Sequence, residues 1–182
     1  RLGVRHVGEN RVQEYMEKRP ALPAGVRTQL IGHLQSNKVR RIVGEVDQIS
    51  SVDTLPLAQK ISAVSTERGI VTDVLVEVNI GGEAAKSGVA PDRLEELLAG
   101  IAPLPGLRVR GLMTVPPILT APEEQRRVFS QMYKLFIDIR GKNIDNIRMD
   151  MLSMGMSSDY EQAILEGSTL VRIGSALFGR RL

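Results

Sequence analysis

The chain has 182 residues, 42% hydrophobic and 25% charged, with a net charge of +3; that suits one sizeable core in a single domain over 1–182. It has no cysteine and two histidines, which excludes disulfides and thiolate catalysis and argues against a metal centre. Charges of both signs interleave, aromatics are 3% and no apolar run reaches the roughly 18 residues of a membrane span, so neither nucleic acid nor a membrane is an expected partner.

In chain order, Val4–Gly8 is predicted as a short strand running into Gly8-Glu9-Asn10. A helix over Arg11–Arg19 and a loop over Pro20–Thr28 follow. Gln29–Ile31 is a brief strand, and Ser36 is placed as the N-cap of a helix through Val43. Gln48–Val52 is a strand; Asp53 caps a helix that carries Leu57, Ile61 and Val64 on one face and stops at Gly69. Thr72–Ile80 is nearly continuous apolar and is the clearest strand. Pro91 opens a helix whose buried face is Leu94, Leu97, Leu98 and Ile101. Arg108–Met113 is a strand, and Pro122 starts a long helix with Val128, Met132, Leu135, Phe136 and Ile139 at helical spacing. Arg148–Ser153 is the next strand. Ser158-Asp159-Tyr160-Glu161 fits a capping box, and Gly167 ends that helix. Thr169–Ile173 is the last strand, and Gly174–Phe178 has the sequence of a short helix.

Strand and helix alternate without hairpin turns, which implies a parallel sheet covered by helices. The polar residues sit at the same end of every strand: Glu9 and Asn10, His33 and Gln35, Asp53, Asn79, Met113 and Thr114, Ser153 and Met154, then Gly174 and Ser175. A TIM-type (β/α)8 barrel puts all such exits on one functional rim. About seven strands are counted where that barrel has eight. The chain starts at Arg1 and not at Met; the expectation is that the first strand–helix unit precedes Arg1.

The two Ser/Gly turns at Ser153–Ser158 and Gly174–Ser175 carry the chemistry. Side by side on a barrel rim they aim backbone N–H groups at one anion, and a phosphate fits best. Arg172 sets a fixed positive charge beside them; the structural reading of Arg172 is an ion pair with Asp150 or Asp159. Bland readings are preferred elsewhere. Asp53 is a helix cap, Lys38, Arg40 and Arg41 are a solvated face, and Met149, Met151, Met154 and Met156 mostly pack. Lys86 is a loop lysine on the functional rim.

Four blocks are recognisable in order: Gly8–Glu14 (GENRVQE), Ile31–Lys38 (IGHLQSNK), Leu152–Asp159 (LSMGMSSD) and Gly167–Gly179 (GSTLVRIGSALFG). They resemble the pyridoxal phosphate homeostasis protein family, with weaker similarity at Ser50–Asp53, Lys86–Gly88 and Gly111–Thr114. The resemblance implies a barrel like the N-terminal domain of alanine racemase that binds pyridoxal 5′-phosphate (PLP). By motif, Ser153, Met154, Gly155 and Ser157 with Gly174 and Ser175 would grip the phosphate. Arg172 would face the pyridine nitrogen, and Asn10 and His33 would line the ring's side.

One departure is large. The family's Schiff-base lysine lies on a first strand upstream of GEN, and none of Lys18, Lys38, Lys60, Lys86, Lys134 or Lys142 falls in a predicted strand. The lysine is expected upstream of Arg1. The resemblance implies a cytoplasmic, monomeric PLP carrier without catalytic turnover, with PLP and PLP-dependent apo-enzymes as partners. The alternatives are a PLP-dependent racemase or decarboxylase on the same barrel, and a sugar-phosphate isomerase or aldolase using Glu9 and His33 as acid and base.

Overall fold

The computed structural model describes residues 3–83 and 85–179. Within them, strand follows helix as the apolar patterning requires. The strands are β1 (His6–Glu9), β2 (Arg27–Leu30), β3 (Gln48–Val52), β4 (Thr72–Glu77), β5 (Leu107–Met113), β6 (Ile147–Met156) and β7 (Leu170–Arg172). The helices are α1 (Val12–Lys18), α2 (Val39–Ile42), α3 (Leu55–Glu67), α4 (Leu94–Ile101), α5 (Pro122–Gly141), α6 (Tyr160–Leu165) and α7 (Ser175–Phe178). All seven strands form one sheet in the order β1-β2-β3-β4-β5-β6-β7, and every pair is parallel. This is a nearly closed parallel barrel of seven strand–helix units, as expected of the eight-stranded architecture with one unit fewer.

Register explains the two faces of the barrel wall. Leu30, Ile49, Val74 and Val109 lie side by side across β2, β3, β4 and β5 and are fully buried. They share one apolar cluster with Ile61, Leu98, Ile101, Phe129 and Met132 of the surrounding helices. One residue earlier on each strand, Gln29, Gln48, Asp73 and Arg108 form the neighbouring row. Because side chains alternate along a strand, this polar row faces the barrel interior. Asp73 binds Arg108 at 2.6 Å and Arg110 at 2.9 Å, and Arg110 also binds Asp150 at 2.9 Å. The lower interior is thus an ionic layer in place of the usual aliphatic filling.

Several local expectations need correction. Ser36 opens a 3-10 turn over Ser36–Lys38 and caps nothing, because α2 begins at Val39. Neither Asp53 nor Ser158 caps a helix through its side chain. The Asp159 carboxylate instead turns back to accept the N–H of Met156 at 2.7 Å, closing the turn that precedes α6. β6 is longer than the predicted Arg148–Ser153 and runs through Met156. That extension carries the serine-glycine turn out to the barrel mouth.

Candidate functional site

The mouth is built from strand ends. Gly8-Glu9-Asn10 and Gly32-His33 are brought together by close approach: a Cβ on Gly32 would lie 2.2 Å from the backbone oxygen of Asn10. Only glycine permits that contact, so the first two recognisable blocks belong to one corner of the rim. Asn10 and His33 are both exposed there.

Opposite, β6 and β7 supply the two Ser/Gly turns. The Ser157 hydroxyl oxygen accepts the N–H of Gly174 at 3.1 Å and that of Ala176 at 3.2 Å. The turns therefore meet directly. Neither the N–H nor the hydroxyl of Ser175 has a hydrogen-bond partner among the described residues. A Cβ on Gly174 would meet nothing within 4 Å. Unused donors over open space can receive an anion.

The remaining predicted residues split by role. Gly155 has φ +92°, and a Cβ there would lie 2.5 Å from the Cβ of Ala163; its glycine lets α6 close on β6. Met154 is fully buried and its side chain belongs to the apolar cluster, while its carbonyl accepts the Ser168 hydroxyl at 2.8 Å. Ser153 is also buried, and its hydroxyl accepts from Arg172 at 2.7 Å. Arg172 further donates to the Ser153 carbonyl at 3.0 Å and the Thr114 carbonyl at 2.7 Å. Its guanidinium thus bridges the ends of three strands, and the ion pair with Asp150 or Asp159 does not form. Burial pulls its pKa down to about 10, against the raising influence of Glu77 and Asp159. It remains a cation at neutral pH.

Two carboxylates at the mouth escape the sequence reading as site residues. Asp53, read as a helix cap, faces the His33 ring nitrogen Nδ1 at 4.0 Å and accepts the N–H of Gly88 at 3.4 Å. Glu77, at the end of β4, is 7% exposed and its carboxylate has no hydrogen-bond partner among the described residues. Burial, then the charge of Asp53, push its pKa up to about 7, while Arg172 opposes the rise. The one available signal is an acidic residue at an inward position of an otherwise apolar strand. Ser87 approaches His33 at the same Nδ1, 3.5 Å away. A nucleophile relay needs the two ring nitrogens to serve different partners, so Ser87-His33-Asp53 is not one. The Glu9–His33 acid–base pair also does not form: Glu9 binds Lys18 at 2.8 Å.

Lys86 spans two rim loops, paired with Glu83 at 2.8 Å and donating to the Pro116 carbonyl at 3.0 Å. No lysine lies in a strand among the described residues. A cavity of about 310 Å³ beside the Met156–Asp159 turn is lined by the loop from Pro116 to Thr120. A second groove, of about 410 Å³, lies on the outer helices between Ser36, Arg40 and Lys60; its Arg40 is engaged bidentately by Glu67.

A parallel barrel whose last two strand exits are joined through Ser157, with Arg172 beside them, defines the class. The family model for the alanine racemase N-terminal domain matches residues 1–181. The chain is 45% identical over 180 residues to the pyridoxal phosphate homeostasis protein of Aquifex aeolicus, covering 98% of this chain and 78% of that protein. The protein of that name from Escherichia coli K12 is 39% identical, with 98% and 77% covered. The structure of PipY from Synechococcus elongatus PCC7942 with PLP bound superposes with a TM-score of 0.87 at 35% identity, covering 97% of this chain and 82% of PipY. Alanine racemase of Clostridium difficile 630 shares the fold at 18% identity, with a TM-score of 0.74 over 97% of this chain and 45% of that enzyme. The chain belongs to the pyridoxal phosphate homeostasis protein family.

Proposed function

We propose that this protein binds PLP at the barrel mouth and acts as a cytoplasmic carrier or buffer of the cofactor, working as a monomer and passing PLP to apo-enzymes. The observation that carries the reading is the junction of the two turns through Ser157, beside the free donors of Ser175 and the half-buried cation of Arg172. The donor set suits a phosphoester: hydroxyl and backbone N–H groups around open space, with positive charge at hand. Family membership, and a relative solved with PLP, support the same choice.

Bound PLP supplies an aldehyde on an electron-withdrawing ring that takes up amines. The chain's own groups would bind and orient it. Ser157, Gly174 and Ser175 hold the phosphate end. Asn10 and His33 flank the ring from the opposite corner. Arg172, which keeps its proton at neutral pH, offers a pyridine nitrogen a hydrogen bond and not a proton. A ring left unprotonated is a poor electron sink, which favours retention over turnover. The relatives are named for homeostasis and not for a reaction, which supports the carrier reading over a racemase or decarboxylase.

The test is titration of the full-length protein with PLP, followed by absorbance and by mass spectrometry after mild borohydride reduction. One PLP per chain with no turnover of amino acids is expected. Failure to bind PLP at micromolar concentrations would overturn the reading, and multiple-turnover racemisation would overturn its carrier aspect.

A further inference from the structure

Glu77 is 7% exposed, and its carboxylate, at the mouth end of β4, accepts no hydrogen bond among the described residues and remains accessible from the mouth. The ladder puts it in one row with Met113 and Ser153. Arg172 binds the Ser153 and Thr114 carbonyls just beyond that row. Three titratable or charged groups face Glu77 or its neighbours at the mouth. Asp53 enters from the end of β3, Arg172 from β7, and His33 meets Asp53 from the turn after β2. Asp159, before α6, acts on Arg172. The ion pairs among Asp73, Arg108, Arg110 and Asp150 neutralise one another. No hydrogen bond or ion pair fixes the Glu77 carboxylate among the described residues.

A dianionic ligand with its phosphate at the Gly174 turn and its ring toward Arg172 draws on the same positive charge that restrains Glu77. Resting on the PLP reading above, we propose that Glu77 couples anion binding to proton uptake: its carboxyl group is protonated when the ligand is held and ionises as the ligand leaves. No bond other than that O–H forms or breaks, and the proton comes from solvent. Glu77 therefore acts on the ligand through charge, as a proton-linked positioning residue. Its ionised form competes for Arg172, and its neutral form leaves Arg172 to the ligand. Retention weakens as pH rises through neutrality. The half-titration point lies near the resting proton affinity of Glu77, at about 7.

The test compares PLP affinity of the full-length wild type and Glu77→Gln between about pH 6 and pH 8.5. Because the ligand's own ionisations are common to both, a difference between them belongs to the protein. A one-unit rise in Glu77's proton affinity on binding corresponds to a tenfold change in affinity. The wild type is expected to weaken about tenfold more than Glu77→Gln over this range. Calorimetry of the wild type in buffers of different ionisation enthalpy reads net proton uptake without any variant. Equal slopes in wild type and Glu77→Gln would overturn the coupling while leaving PLP binding intact. Absence of uptake beyond that of PLP's own groups would also overturn it, even if the variant fails to fold. A wild type that binds no PLP at any pH would remove the reading beneath both.

Discussion

The side-chain oxygen of Ser157 holds the backbone N–H of Gly174 at 3.1 Å, joining two turns that are 17 residues apart in the chain. The same oxygen takes the N–H of Ala176, so one hydroxyl fixes the start of α7 against the end of β6. Ser157→Ala leaves two backbone donors unpaired and removes a hydroxyl from the cradle. PLP affinity is expected to fall about tenfold, with a loss of stability of about 1 kcal/mol, because a typical hydrogen bond contributes about that much. Fluorescence titration and thermal melts read the two effects separately.

Arg172 ties β5, β6 and β7 together at the proposed site. Arg172→Met strips partners from the buried Ser153 hydroxyl and from two carbonyl groups. A destabilisation of about 3 kcal/mol is expected from those unpaired buried groups. Arg172→Lys retains the charge but cannot span three strand ends, so it should keep most of the stability and lose most of the PLP affinity. Chemical denaturation beside PLP titration distinguishes these outcomes.

Glu77 makes stability depend on pH. Its folded pKa is about 7 against an ordinary value of 4.5, so between those values the unfolded chain has released a proton that the folded chain still holds. Stability therefore falls as pH rises from about 4.5 to 7, and above 7 the penalty is constant. The whole effect is about 3 kcal/mol. Glu77→Gln is expected to be more stable than wild type at about pH 8, with the advantage shrinking toward pH 5. Urea midpoints at a series of pH values check this.

Gly155 tests the packing behind the cradle. Its φ is +92°, and a methyl group added there would sit 2.5 Å from the Cβ of Ala163, so Gly155→Ala forces α6 outward. A cost of about 3 kcal/mol is expected, combining a strained backbone with steric overlap. Binding should weaken with it, since α6 backs the Ser157 turn. Wild-type stability in this variant would contradict the packing role.

The alternation of strand and helix is legible in the sequence because each strand brings its own apolar row and each helix its own stripe. Leu94, Leu97, Leu98 and Ile101 are buried as their spacing demands. The Ser/Gly turns are legible for the same local reason: the residues that make them are contiguous. Asp53 is not, because an acidic residue before a helix looks like a cap, whereas its actual partner, Gly88, is 35 residues away. Glu77 is hidden because its environment depends on β3 and β7 together, and no window of sequence around it contains either. Ser153 is similar: its hydroxyl serves Arg172, 19 residues on. What sequence reading misses is the set of contacts made across the barrel mouth.

A crystal structure of the full-length protein with PLP decides where the cofactor sits. The phosphate is expected within hydrogen-bond distance of Ser175 and the Ser157 hydroxyl, with Arg172 turned toward the ring. A phosphate seated elsewhere, such as the outer groove between Arg40 and Lys60, with the Ser157–Gly174 junction untouched, would contradict it.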